Sequence, residues 1–376
     1  AEITDLRSMR STIAIVLLAP FALCAQSFPY ERPLMIAWSG DGITFDTPTV
    51  FQDSSGVPSV VRWQGDTLIA AFQWFRQPNP SPSWDRVAVK FSYDNGASWN
   101  TPTPIVLNGL PPNYQRPFDP TLAVFGNDSL RIYYSSSAGM PMGLDSTVNT
   151  YSAVSADGIH YQFEPGARVD VVDHAVIDPA VIHFGPGWHY LAPAGPPQAG
   201  AYHYLSPDGI TFNAVPVIPS DPQHNWTGNY MVDSPTELRF YGAGQGGIWY
   251  NSSPNGGVWN GYVPTNIQGG DPSVLRVAAD NYLIVYVGMP YTTSIDANTD
   301  HGNSIALVPV PAQDVVYIRS DAHFQGYRIL SVAGALLQEG VPIDRTIRVD
   351  DVPAGMHVVE LTDAKGMIHV LRMVKQ

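Results

Sequence analysis

Apolar and polar positions along most of this chain alternate in short runs, not at helical spacing. Val87-Ala-Val-Lys-Phe91, Leu130-Arg-Ile-Tyr-Tyr134, Trp188-His-Tyr-Leu191, Ala201-Tyr-His-Tyr-Leu205 and Tyr282-Leu-Ile-Val-Tyr286 are of this kind, and Gly, Pro, Asp or Asn brackets each of them. Runs of this length and period predict β-strands joined by tight turns.

The turns repeat. Ser39-Gly-Asp41-Gly42-Ile-Thr-Phe45 returns as Ser92-Tyr-Asp94-Asn-Gly96-Ala-Ser-Trp99, as Ser155-Ala-Asp157-Gly158-Ile-His-Tyr161 and as Ser206-Pro-Asp208-Gly209-Ile-Thr-Phe212. A degenerate fifth copy is Ser253-Pro-Asn255-Gly256-Gly-Val-Trp259. Asp or Asn followed by Gly between two apolar runs predicts a hairpin: Gly supplies the positive φ, and the carboxylate caps the turn's own N–H groups. These turns resemble the Asp boxes of sialidases and the strand ends of family-43 glycoside hydrolases. In both families the turn is structural, so the five Asp/Asn residues are assigned to folding.

A second motif interleaves with the first: Val57-Pro58, Asp119-Pro120, Asp178-Pro179, Asp233-Ser-Pro235 and Asp271-Pro272, each opening an apolar run. Proline lacks an N–H and suits the first residue of a strand. One unit then reads strand, turn, strand, loop, strand, Asp-type turn, strand, the pattern of a propeller blade. Five of each motif predict an all-β, five-bladed β-propeller over residues 30–312. The motif order predicts that the strands from Leu34 complete the last blade. An apolar run at 305–310 leaves a six-bladed ring as the alternative.

After residue 313 the Asp-type turn disappears. Residues 314–376 read as a small β-sandwich of short alternating strands with turns at Gly334, Gly355 and Gly366. "ILSVAGALLQEG" and "IRVDDVPAGMHVVELTDAKGMIHVLRMVKQ" resemble the type A C-terminal sorting domain of the type IX secretion system of Bacteroidota, with His357 where that family usually has Tyr. The resemblance implies the type IX machinery as a partner and delivery to the cell surface or medium. Residues 9–26 read as a secretory signal peptide: Arg10, an apolar stretch from Thr12, then a small-residue site at Leu23-Cys24-Ala25. The apolar stretch is too short to span a bilayer.

Composition narrows the chemistry. Lys+Arg 19 against Asp+Glu 33 gives a net charge of −14, which disfavours nucleic acid and anionic lipid as partners. The one cysteine, Cys24, lies in the signal-like segment. No metal-ligand spacing, phosphate loop or nucleophile elbow occurs, and no cofactor is implied. In a propeller the inner strands begin at the mouth of the central channel, so Asp119, Asp178 and Asp271 are expected to converge on one pocket. Converging carboxylates suit glycoside hydrolysis, in which one holds a proton and another stays ionised. The Asp-Pro motif resembles the blade opening of family-43-type hydrolases, which implies catalytic roles for these three residues. The departures are Val57 in the first copy and the lack of a Pro-anchored Glu for the general acid; Glu237 lies two residues past Pro235. Arg116, His174, Trp226 and His301 are candidate substrate contacts, Trp226 as a stacking platform. His183 and His189 are expected at the surface. The chain therefore reads as a secreted or cell-surface glycoside-hydrolase-like propeller acting on polysaccharide or glycan. A non-catalytic carbohydrate- or protein-binding propeller is the alternative. A sialidase is a second alternative, though its amino-terminal Arg-Ile-Pro motif is absent.

Overall fold

All five runs named first are strands. The computed structural model describes residues 32–76, 84–126, 129–139, 147–289, 305–308, 311–320, 322–331, 334–364, 366 and 368–376. The signal-like segment and Cys24 lie outside them. The chain divides into two compact units near residue 291.

The first unit is a β-propeller. Its described residues form five sheets, each antiparallel through its main strands. The first runs Ser55–Gln64, Thr67–Trp74, Arg86–Ser92 and Thr103–Pro104. The second runs Phe118–Phe125, Ser129–Ser137, Val148–Ser155 and His160–Val169, with Val106–Asn108 added in parallel at its outer edge. The third runs Ala180–Phe184, Gly187–Pro193, Ala201–Ser206 and Asn213–Ile218. The fourth runs His224–Ser234, Glu237–Gly244, Gly247–Ser253 and Tyr262–Pro264. The fifth joins both ends of the unit: Gly270–Ala278, Asn281–Val287, then Leu34–Ser39 and Thr49–Gln52.

Burial explains the strand sequences. Middle strands such as Thr67–Trp74 and Ser129–Ser137 are buried along almost their whole length, because each packs against neighbouring sheets on both faces. Outer strands such as Asn213–Ile218 are largely exposed.

The inner strands surround a channel. A cavity of about 240 Å³ is lined by Val60, Leu122, Val181, Met231 and Val274, one from each sheet. Polar side chains tie the same strands together at one end. The N–H of Val60 donates to Ser273 Oγ and that of Leu122 to Ser59 Oγ, both at 2.9 Å. Asn229 Nδ2 donates to the Pro58 carbonyl at 3.0 Å, and the Thr121 hydroxyl donates to the Pro179 carbonyl. The Asp-type turns tie the sheets together at the periphery. In each, the Ser hydroxyl accepts the Gly N–H, and the Asp or Asn side chain accepts N–H groups of the following residues. Two turns also bond to the preceding sheet: Tyr133 Oη donates to the Gly209 carbonyl at 2.7 Å, and Tyr241 Oη to the Gly42 carbonyl at 3.0 Å.

Three expectations change here. The strand at Ala306–Val308 pairs with Val315–Arg319 in the second unit and extends no sheet of the first, so the second unit begins before residue 306 and not at 314. Pro235 does not open an inner strand. It lies in the hairpin between His224–Ser234 and Glu237–Gly244. The fourth strand's equivalent of Asp-Pro is Trp226-Thr227, which occupies the same register break as Val57-Pro58, Asp119-Pro120 and Asp271-Pro272. His189 is buried, stacked on His203 with ring centroids 6.2 Å apart, whereas His183 is exposed as expected.

The described residues of the second unit form two sheets, Ala306–Val308/Val315–Arg319/Thr346–Arg348 and Leu336–Gly340/Phe324–Ser331/Gly355–Asp363/Ile368–Lys375. Both feed one apolar cluster that includes Leu307, Val316, Ile347, Ile329, Val359 and Met373. Among the described residues no helix is long and apolar enough to cross a membrane.

Candidate active site

The three Asp-Pro aspartates do meet. Each stands directly before the proline of an inner strand, with left-handed φ of 50° at Asp119, 52° at Asp178 and 43° at Asp271. The backbone N–H of Asp178 donates to Asp119 Oδ2 at 3.4 Å. The Asp271 charge acts on both other carboxyls. All three are deeply placed yet keep part of their surface open. Thr121 and Ser273 lie two residues past Asp119 and Asp271 on the same strands, and with Ser59 and Asn229 of the first and fourth sheets they form a polar collar next to the apolar channel.

Crowding of like charges in a dry place makes ionisation costly. Burial, with Asp271 adding to it, pushes the Asp119 carboxyl up to about 7, against the hydrogen bond from the Asp178 N–H. Burial and then the Asp119 and Asp271 charges hold Asp178 well above the usual carboxylate range. Asp271 is also raised by burial, but a hydrogen bond with Thr227 and the charge of Arg32 pull it back. All three carboxyls are thus pushed toward their protonated forms, and at Asp271 a hydroxyl and a cation oppose that push. Carboxyls raised in this way at one open mouth can give and take protons closer to neutrality than free ones.

Neither a protein-family model nor a curated protein matches the sequence. Solved structures do resemble it. The sialidase of Trypanosoma rangeli is 14% identical over 64% of this chain with a TM-score of 0.38, and the chain covers only 56% of that protein. A family 117 glycoside hydrolase of the marine bacterium Zobellia galactanivorans is 12% identical over 61% of this chain and 83% of its own, TM-score 0.43. An α-L-arabinofuranosidase from Clostridium thermocellum is 14% identical over 78% of this chain and 95% of its own, TM-score 0.45. Likeness of this degree assigns no role to any residue.

The remaining candidates separate. Arg116, about half exposed, lies at the same mouth and pairs with Asp85. Asp85 also accepts from Gln73 Nε2, and its charge acts on Asp119. His174 is exposed at the tip of a turn, its Nδ1 2.9 Å from the Val172 carbonyl oxygen, and no contact joins it to the carboxyls. Trp226 is 1% exposed, locked among Phe240, Trp249 and Trp259, and is not a stacking platform. The bulge that sets its backbone at the mouth turns its indole into the core. His301 lies outside the described residues.

Sequence reading missed Asp85, Gln73, Thr227 and Arg32. Only the fold brings them to the Asp-Pro motifs, and no local spacing marks them. Size does not mark the site either. A cavity of about 690 Å³ opens on the turn side between the third and fourth sheets, lined by Phe184, Leu205, Val215 and several prolines, and none of the carboxyls reaches it. Among the described residues no three acidic, His or Cys side chains are disposed to hold a metal ion.

Proposed function

We propose that this protein is a secreted or cell-surface glycoside hydrolase that cleaves polysaccharide or glycan at the Asp119–Asp178–Asp271 mouth. The five sheets would be its five blades. The second unit would be a β-sandwich sorting domain read by the type IX machinery. The convergence of three carboxyls on one mouth carries the reading. Asp178, raised by burial and by both neighbouring charges, is the fitting acid for the leaving oxygen, and Asp271, supported by Thr227 and Arg32, is the fitting base. Asp119 lies between them and raises Asp178 by its charge.

A non-catalytic glycan-binding propeller is the second reading. Two of the five inner-strand openings carry no carboxylate, Val57 and Trp226-Thr227. The two glutamates among the first unit's described residues, Glu164 and Glu237, are engaged by Arg131 and Arg239 along the strands. A screen of arabinan, xylan, fructan and a sialoside decides between the readings. Hydrolysis is expected from the wild type, falling about 10²–10⁴-fold in Asp178→Asn and Asp119→Asn. Hydrolysis that survives both substitutions removes the assignment. Glycan binding without hydrolysis favours the second reading.

A further inference from the structure

The first sheet lacks an inner-strand carboxylate, yet it supplies one to the mouth by another route. Asp85 enters from the segment before Arg86–Ser92 and holds a left-handed φ of 54°. Gln73, on the adjoining strand, donates to one of its carboxylate oxygens and Arg116 to the other. Gln73 is 4% exposed, and its Oε1 has no hydrogen-bond partner. A buried amide oxygen without a donor is costly, and a ligand hydroxyl would relieve it. Beside Asp85, the partly exposed Trp84 ring lies 5.6 Å from that of Phe75 and offers the apolar face that Trp226 does not.

We propose that Gln73, Trp84, Asp85 and Arg116 form a cradle for the hydroxyl groups of a neutral glycan, positioning it against the three carboxyls. The chemistry selects that class. Gln73 Oε1 and the Asp85 carboxylate accept hydroxyl protons, the Arg116 guanidinium donates to a neighbouring hydroxyl oxygen, and the indole covers the C–H face of the ring. Asp85 already pairs with Arg116, and the Asp85 and Asp271 carboxylates at the mouth repel an acidic sugar. The inference rests on the glycan-active reading above but concerns binding, not bond cleavage.

Affinity electrophoresis of the full chain tests it, with gels containing arabinan, xylan or polygalacturonate at about 0.3 M salt, where long-range repulsion is screened. The wild type should be retarded by a neutral glycan and not by polygalacturonate. Asp85→Asn, Trp84→Ala and Arg116→Gln should each weaken retardation about tenfold, with the thermal midpoint checked for each. Arg116 is exposed enough to replace without loss of folding. Cradle variants retarded as the wild type is, equal retardation by polygalacturonate, or no retardation by either neutral glycan would each overturn the proposal. Retention of binding with no hydrolysis in any form would instead overturn the hydrolase reading and leave the cradle standing.

Discussion

Asp119, Asp178 and Asp271 share their left-handed backbone with Val57, whose φ is 46°. For a β-branched residue this conformation is a genuine outlier, and Val57 has no acid–base chemistry to reward it. The strain therefore belongs to the openings of these four inner strands, whatever residue stands there. What distinguishes the aspartates is the charge they bring to one place. Asp119 titrates near 7 in the fold, against about 3.9 in an unfolded chain. The folded state holds this proton more tightly, so its contribution to stability is complete below about pH 4 and is lost as pH rises through about 7. Asp119→Asn tolerates the same backbone and cannot ionise. It should gain on the order of 1–3 kcal/mol over the wild type at pH 8 and little at pH 4, measured by urea unfolding at the two pH values. An equal shift at both would mean that Asp119 is no proton-holding carboxyl. Trp226 shows where reading by residue type fails: an indole beside a pocket in sequence is a core indole in space, because a bulge decides which way it turns.

The Asp-type turns were legible because everything that forms them lies within seven or eight residues. Their packing was not. Gly209 has a φ of 72°, and a β-carbon there would come within 2.8 Å of Tyr133 Oη and 2.9 Å of Arg131 Nη1 on the preceding sheet. Gly185 has a φ of 58° and nothing within 4 Å. Gly209→Ala should therefore cost about 2–4 kcal/mol, backbone strain plus overpacking, and Gly185→Ala only about 1 kcal/mol. Equal losses in denaturant unfolding would show that the turn does not bear on its neighbour. The proline motif was legible at four of its five positions. At the fifth, Trp226-Thr227 carries neither letter of the motif, while Pro235 serves a hairpin turn that proline also favours. Asp85 was hidden for a related reason: Gln73 meets it only across the paired strands of the first sheet, and Arg116 only from the segment that leads into the second.

At the scale of the whole molecule, motif order predicted that the strands from Leu34 complete the last sheet, and they do pair with Asn281–Val287. The break between units was misplaced because an apolar run at 305–310 suits either neighbour, and pairing alone decides. With the second unit proposed as an export signal, deleting residues 305–376 in a host with type IX secretion should leave the first unit in the periplasm, while the full chain reaches the surface or medium. Immunoblots of the two fractions measure this, and equal export of both forms would remove the sorting role. The shared fifth sheet also sets a clock. Leu34–Ser39 is made early, and its partner Asn281–Val287 follows roughly 250 residues later, about 10–50 s at ordinary rates of synthesis. Throughout that interval the growing chain carries an apolar strand with one edge unpaired, and the ring stays open until nearly the whole first unit has been made.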